Sequence, residues 1–218
     1  MTELRTAQST AEKWAKHVLQ KQYESGADRY LVGVVGYPGA GKTTFAAQLV
    51  EAINHLRGFE IAVVVPMDGY HYSNEELDRR GLRPLKGIPD TFDAEGFVRL
   101  ISELKACCDK SVYCPLFDRS IEASIENEIE VKAEHKIVVS EGNYFLLDRE
   151  PWKQLPDLFD EIWFINSSLE IILPRLLDRH KACGRDEAAT RAKIESTDFP
   201  NAKLIEDTRS RATRIIDL

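Results

Sequence analysis

Eight residues, Gly36-Tyr37-Pro38-Gly39-Ala40-Gly41-Lys42-Thr43, follow the spacing G-x-x-x-x-G-K-T. That is the pattern of a polyphosphate-binding loop. Its glycines let successive backbone N–H groups curve around phosphate oxygens without Cβ clashes. The first N–H groups of a following helix have no intrahelical partner, so that end is positive. Lys42 is expected to reach the β- and γ-phosphates, and the Thr43 hydroxyl to ligate Mg²⁺. The run Gly36, Pro38, Gly39, Ala40, Gly41, Lys42, Thr43 and Thr44 is therefore the expected ATP site. The pattern specifies a nucleoside triphosphate and leaves the reaction open.

Two acids stand where they could complete a reaction. Asp68 follows the apolar run 60–65, and Glu141 follows the run 136–139. Carboxyl ends of strands are where open α/β sheets bind ligands. Beside a phosphate loop, one such carboxylate can orient Mg²⁺ while the other accepts a proton. The residue types leave open which does which. A basic run, Arg175, Arg179, His180 and Lys181, continues to Cys183-Gly184-Arg185. It suits a mobile lid over about 178–190, bringing Arg179 and Arg185 onto the γ-phosphate. The loop 69–93 is polar, rich in Pro and Gly, and long for a mere connection. Its His71, Tyr72, Arg83, Lys86 and Asp93 are expected to line an acceptor pocket with Asp118, Arg119, Asn143 and Tyr144. His71 serves equally well as a structural hydrogen-bonding group.

The elements that must position these groups can be read from periodicity. Short β-branched runs at 30–35, 60–65, 136–139 and 161–165 predict buried strands, with a last strand at 213–216. Residues 44–57 predict a helix with Phe45, Leu49, Val50, Ile53 and Leu56 on one face and Gly58 as its stop. Ser9 with Glu12 predicts a capped helix over 9–24, and Ser73 with Glu76 another ending at Gly81. Further helices are expected at 94–106, at 187–196 and from Pro200. Another starts at Ser167 and Glu170 and is kinked by Pro174. Residues 112–117 are extended, and 120–135 fits helix or strand. The alternation predicts a three-layer α/β P-loop fold, kinase-type, with a mostly parallel sheet and a small lid. One domain over 1–218 is expected, with 1–29 as a helical extension.

Composition narrows the partners. The net charge of −7 disfavours a general nucleic-acid surface. Cys107, Cys108, Cys114 and Cys183 fit no zinc spacing and read as reduced thiols. No apolar run approaches the length of a membrane span, and the first residues carry no apolar leader core. The expectation is a soluble, cytoplasmic protein acting on a small molecule, with no nucleic-acid or membrane partner; a homodimer stays open.

The blocks after the phosphate loop are "MDGYHY" (67–72), "KGIPDTFD" (86–93), "PLFDRS" (115–120) and "SEGNY" (140–144). Their order resembles the phosphoribulokinase, uridine kinase and bacterial-type pantothenate kinase superfamily over roughly 30–216. Within it the chain looks most like a small subgroup labelled fructose-transport-system kinases or nucleoside/nucleotide kinase family proteins. The resemblance implies an ATP:alcohol phosphotransferase. It makes Asp68 the acid near the acceptor hydroxyl, Glu141 the acid near Mg²⁺ and substrate, and Arg179 a lid arginine. It puts Asn201, with Thr208-Arg209, on the adenine side. Phe117 replaces the Tyr that uridine kinases carry before the Asp118 position.

Three functions compete on these residues. The first is a kinase acting on a sugar, nucleoside or pantothenate-like acid. The second is a GTPase switch, which lacks an N-K-x-D motif; the one D-x-x-G, Asp93 to Gly96, follows no buried strand. The third is a non-catalytic ATP-binding regulatory or transport-accessory protein.

Overall fold

The computed structural model describes residues 2–182 and 186–218; the side chains of 2–9, 169, 179, 180 and 182 lie outside the described set. Five strands form one sheet: β1 (Tyr30–Gly36), β2 (Ala62–Pro66), β5 (Ile137–Gly142), β6 (Glu161–Asn166) and β7 (Arg214–Asp217). Their order is β2-β5-β1-β6-β7, and every pairing is parallel. The chain leaves central β1 for β2 on one side, and β6 lies on the other. Ligand crevices form where connections diverge in this way. The parallel arrangement also puts all the strand carboxyl ends on one edge.

Strand β1 is buried on both faces, and its residues alternate between two cores. Leu31 and Val35 enter a cluster with Val138, Phe97, Phe145 and Trp152. Tyr30, Val32 and Val34 enter another with Phe45, Leu49, Ile53 and Trp163. Helix α2 (Lys42–Arg57) covers the second face, and Gly58 closes it at φ 75°. Leu56, expected on the buried face, is 45% exposed because it lies in the last turn, beyond the sheet. Helix α1 (Thr2–Ser25) packs on α2 through Ala11, Ala15 and Val18. It begins before Ser9, so the predicted cap there does not form. Its His17 bonds the buried Glu161 carboxylate at 2.8 Å, which also accepts from Tyr30, Trp163 and Arg214.

Helix α3 (Asn74–Arg79) is capped by Ser73, whose oxygen accepts the Glu76 N–H. Helix α4 (Ala94–Ala106) covers the first face of the sheet. The ambiguous segment resolves as strand. β4 (Ala123–Val131) pairs antiparallel with β3 (Val112–Asp118), a hairpin outside the main sheet. Cross-strand pairing therefore overrode the isoleucine spacing that also suits a helix.

Helix α5 (Leu169–Ala182) runs through Pro174. Ser167 does not cap it: its hydroxyl donates to the Ala40 carbonyl, and the Ser168 carbonyl accepts from Ile171 and Ile172 instead. Helix α6 (Glu187–Lys193) passes through a π turn at Ile194–Asp198 into α7 (Phe199–Glu206). Residues 183–185, which include Arg185 and the predicted lid break at Gly184, lie outside the described residues.

Candidate active site

The phosphate loop joins β1 to α2 at the crevice edge. Gly39 and Gly41 sit at φ 80° and 92°, in the left-handed region that favours glycine. Lys42 folds over its own loop and donates to the carbonyls of Gly36 (3.0 Å) and Tyr37 (2.9 Å). Arg175 of α5 approaches the Gly39 carbonyl at 3.4 Å. It is the cation of the basic run whose side chain is described at this loop; the side chain of Arg179 is not described.

Sheet register brings both acids to the loop. Pro66 on β2 pairs with Glu141 on β5, so the chain turns from Pro66 into Asp68 beside that residue. Glu141 lies inside β5 rather than after it, and is buried. Its carboxylate accepts the Thr43 hydroxyl at 2.9 Å. Burial, then the neighbouring Asp68 carboxylate, pushes Glu141 above the usual carboxylate range, while Lys42 and Thr43 pull it down. Thr43 and Glu141 supply hard oxygen donors. Mg²⁺ is commonly held by one or two carboxylates completed by phosphate oxygens and water. A buried carboxylate bonded to the Thr43 hydroxyl fits that role.

Asp68 is tied to Arg119 at the end of the hairpin, 2.7 Å apart. Gly69 permits this approach: a Cβ there would lie 2.3 Å from the Pro115 carbonyl oxygen. His71 stacks on Phe92 with centroids 3.9 Å apart. Burial drives its imidazole down to about 4, so it is neutral near pH 7. Its Nδ1 is buried with no hydrogen-bond partner.

One cleft of about 840 Å³ collects these groups. Pro38, Gly39, Gly41, Lys42, Thr43 and Thr44 line it together with Asp68, His71, Lys86, Arg119, Glu141, Asn143 and Asn201. Other expected residues are engaged elsewhere. Asp93 caps α4, accepting the Gly96 N–H at 2.9 Å, and does not line the cleft. Asp118 is turned into its own loop by Ser120. Tyr72 lies under the Arg80 guanidinium. Tyr144 is buried and donates to the Gly87 carbonyl, which also accepts from Asn201 at 3.1 Å. Asn201 thus meets the 86–93 loop while lining the cleft. Thr208 bonds Ile205, and Arg209 lies over Phe164. Gly36 and Ala40 shape the phosphate loop through their backbone without lining the cleft.

Sequence reasoning missed Lys193, Asp198 and Glu122 on the cleft lining. Lys193 reaches it because α6 folds back over the 83–87 turn, where its ammonium donates to the carbonyls of Pro84 and Lys86. No local motif signals that return.

Comparison with known proteins gives the family. The model of the phosphoribulokinase/uridine kinase family matches residues 31–217. A Schizosaccharomyces pombe protein named "Putative uridine kinase C227.14" is 38% identical over 177 residues, 78% of this chain and 74% of that protein. A pantothenate kinase of Mycobacteroides abscessus is 28% identical over 210 residues, 86% of this chain and 66% of its own length. Among solved structures, the one titled "putative fructose transport system kinase" from Silicibacter sp. TM1040 aligns at TM-score 0.78 and 38% identity, covering 86% of this chain and 89% of that one. The chain belongs to the phosphoribulokinase/uridine kinase family and is an ATP-dependent kinase with an alcohol group as acceptor.

Proposed function

We propose that the chain transfers the γ-phosphoryl group of Mg-ATP to a hydroxyl of a small metabolite held between the phosphate loop and the 83–93 segment. Sugars, nucleosides and pantothenate-like acids are the acceptor classes. The observation that carries this is the shared cleft: the phosphate loop, Asp68 and Glu141 line the same space as His71, Lys86 and Asn143.

In this reading the acceptor oxygen forms a bond to the γ-phosphorus while the bond to the β,γ-bridging oxygen breaks, and ADP leaves with that electron pair. Asp68 takes the hydroxyl proton. Its partner Arg119 fixes the carboxylate from one side. Glu141, more deeply buried and bonded to Thr43, is the better candidate for the metal side. Thr43 and Glu141 would hold Mg²⁺, whose charge offsets that of the β- and γ-phosphate oxygens. Lys42 and Arg175 face charge that spreads over the transferring group, with Arg179 as the proposed lid cation. Positioning and electrostatics dominate such transfers.

The test is ADP release across a panel of hydroxylated metabolites. Acceptor-dependent turnover is expected, falling on the order of 10²-fold or more in Asp68→Asn. Full activity of Asp68→Asn would remove the base assignment. Hydrolysis that no acceptor accelerates would favour a regulatory ATP-binding role.

A further inference from the structure

The part of the cleft built on the 83–87 turn is richer in cations than phosphoryl transfer requires. Arg83, Lys86 and Lys193 line it with the acids Glu122 and Asp198, and Arg83 is paired with Asp78 at 3.0 Å. Lys86 is the informative one. Its ammonium donates to the Asn74 side-chain oxygen (2.9 Å) and to the Glu122 carbonyl (3.2 Å), and lies 4.9 Å from the centre of the Phe117 ring. An ammonium has three donors. Two are spent on neutral oxygens, and among the described residues no carboxylate pairs with it. The Glu122 carboxylate attracts it more weakly, from beyond contact, while burial and Arg83 work against its charge. Half-burying an ammonium beside other cations is costly without an anion.

The position is also locked. The N–H of Gly87 donates to the Thr91 hydroxyl at 2.9 Å, and its carbonyl accepts from both Tyr144 and Asn201. Lys193 is set against the same turn by its bonds to Pro84 (2.9 Å) and Lys86 (3.1 Å).

Resting on the kinase reading above, we infer that the acceptor carries an anionic group, a phosphate monoester or a carboxylate, apart from the hydroxyl that is phosphorylated, and that Lys86, the cation of this turn with no carboxylate in contact among the described residues, binds it. Lys86 is then the residue that separates anionic acceptors from their neutral counterparts.

The test uses matched pairs: ribose and ribose 5-phosphate, glycerol and glycerate, uridine and uridine 5′-monophosphate. Binding of each is measured calorimetrically to the full chain with β,γ-methylene-ATP present, and turnover is followed separately with ATP. The anionic member of at least one pair is expected to bind at least about 10-fold more tightly. Lys86→Met and Lys86→Gln should each weaken it roughly 10- to 100-fold, acting on KM more than kcat, with Lys86→Arg restoring most of the loss. The phosphate and carboxylate pairs tell the two anion classes apart. Absence of any Lys86-dependent preference for an anionic member overturns the inference. Lys86-independent transfer to a neutral acceptor overturns it too, while leaving the kinase reading intact. Lys86-dependent anion binding with no transfer in any pair, and no acceptor of the wider panel accelerating ADP release, overturns the kinase reading and leaves the anion site standing.

Discussion

His71 offers a measurement that depends on the tertiary environment and on nothing local. Its half-buried ring packs against Phe92 and Phe117, with centroids 3.9 and 5.2 Å away, and its Nδ1 is fully buried. Burial lowers its pKa from 6.5 to about 4; Asp68 and a backbone hydrogen bond with Thr91 oppose the shift, while Lys86 and Arg119 reinforce it. Between those two values the unfolded chain binds a proton that the folded chain refuses. Stability from this group is therefore fully present above pH 6.5 and is lost as pH falls from 6.5 toward 4. At 1.36 kcal/mol per pH unit, the loss between pH 7.5 and 4.5 comes to about 2.5 kcal/mol. His71→Phe keeps an aromatic ring against Phe92 and removes the titration. Urea unfolding of both proteins at the two pH values isolates the effect, because carboxylates titrating in the same range cancel in the difference. Relative to the wild type, the variant should gain about 2.5 kcal/mol on going from pH 7.5 to 4.5. Parallel pH profiles would show that His71 titrates as it does in the unfolded chain, and would refute a buried neutral imidazole.

Three further outcomes follow from particular contacts. Lys42→Ala should reduce kcat on the order of 10²-fold or more in the ADP-release assay, because the other basic residues of α2, His55 and Arg57, lie in its last turn, away from the phosphate loop. Arg29 is buried and donates to the carbonyls of Leu104, Cys107, Lys132 and His135. Arg29→Met should lower stability by about 3 kcal/mol or more in denaturant unfolding, with kcat of the folded protein unchanged. Asp93→Ala should cost about 1 kcal/mol through loss of the α4 cap and leave the acceptor KM unaltered; a raised KM would return Asp93 to the site.

Much of the frame was legible because its signals are local. The β-branched runs became β1, β2, β5 and β6 with small shifts at their ends, and the Gly-rich loop opened α2 as expected. The family resemblance over roughly 30–216 agrees with the matched span 31–217. The less legible parts depended on distant partners. Residues 120–135 had no decisive period until β3 offered an edge. Ser9 and Ser167 had the right composition for caps, but α1 starts before Ser9, and the Ser167 hydroxyl turns to Ala40. Asp93 and Tyr144 looked like ligand groups by type, yet one is held by a helix start and the other by the Gly87 carbonyl.

By itself the sequence determined that a triphosphate loop sits between a buried strand and a helix, and that two acids stand near the carboxyl ends of strands. Spacing along the chain is enough for that, because strand, turn and helix each respond to residues a few positions apart. Only the tertiary structure decided which side chains share the cleft. Parallel register set Glu141 against Thr43, and a glycine with no room for a Cβ let Asp68 meet Arg119. The fold-back of α6 carried Lys193 to Lys86 across more than a hundred residues. Convergence of this kind is a property of packing, and the local sequence around Lys86 carries no trace of it.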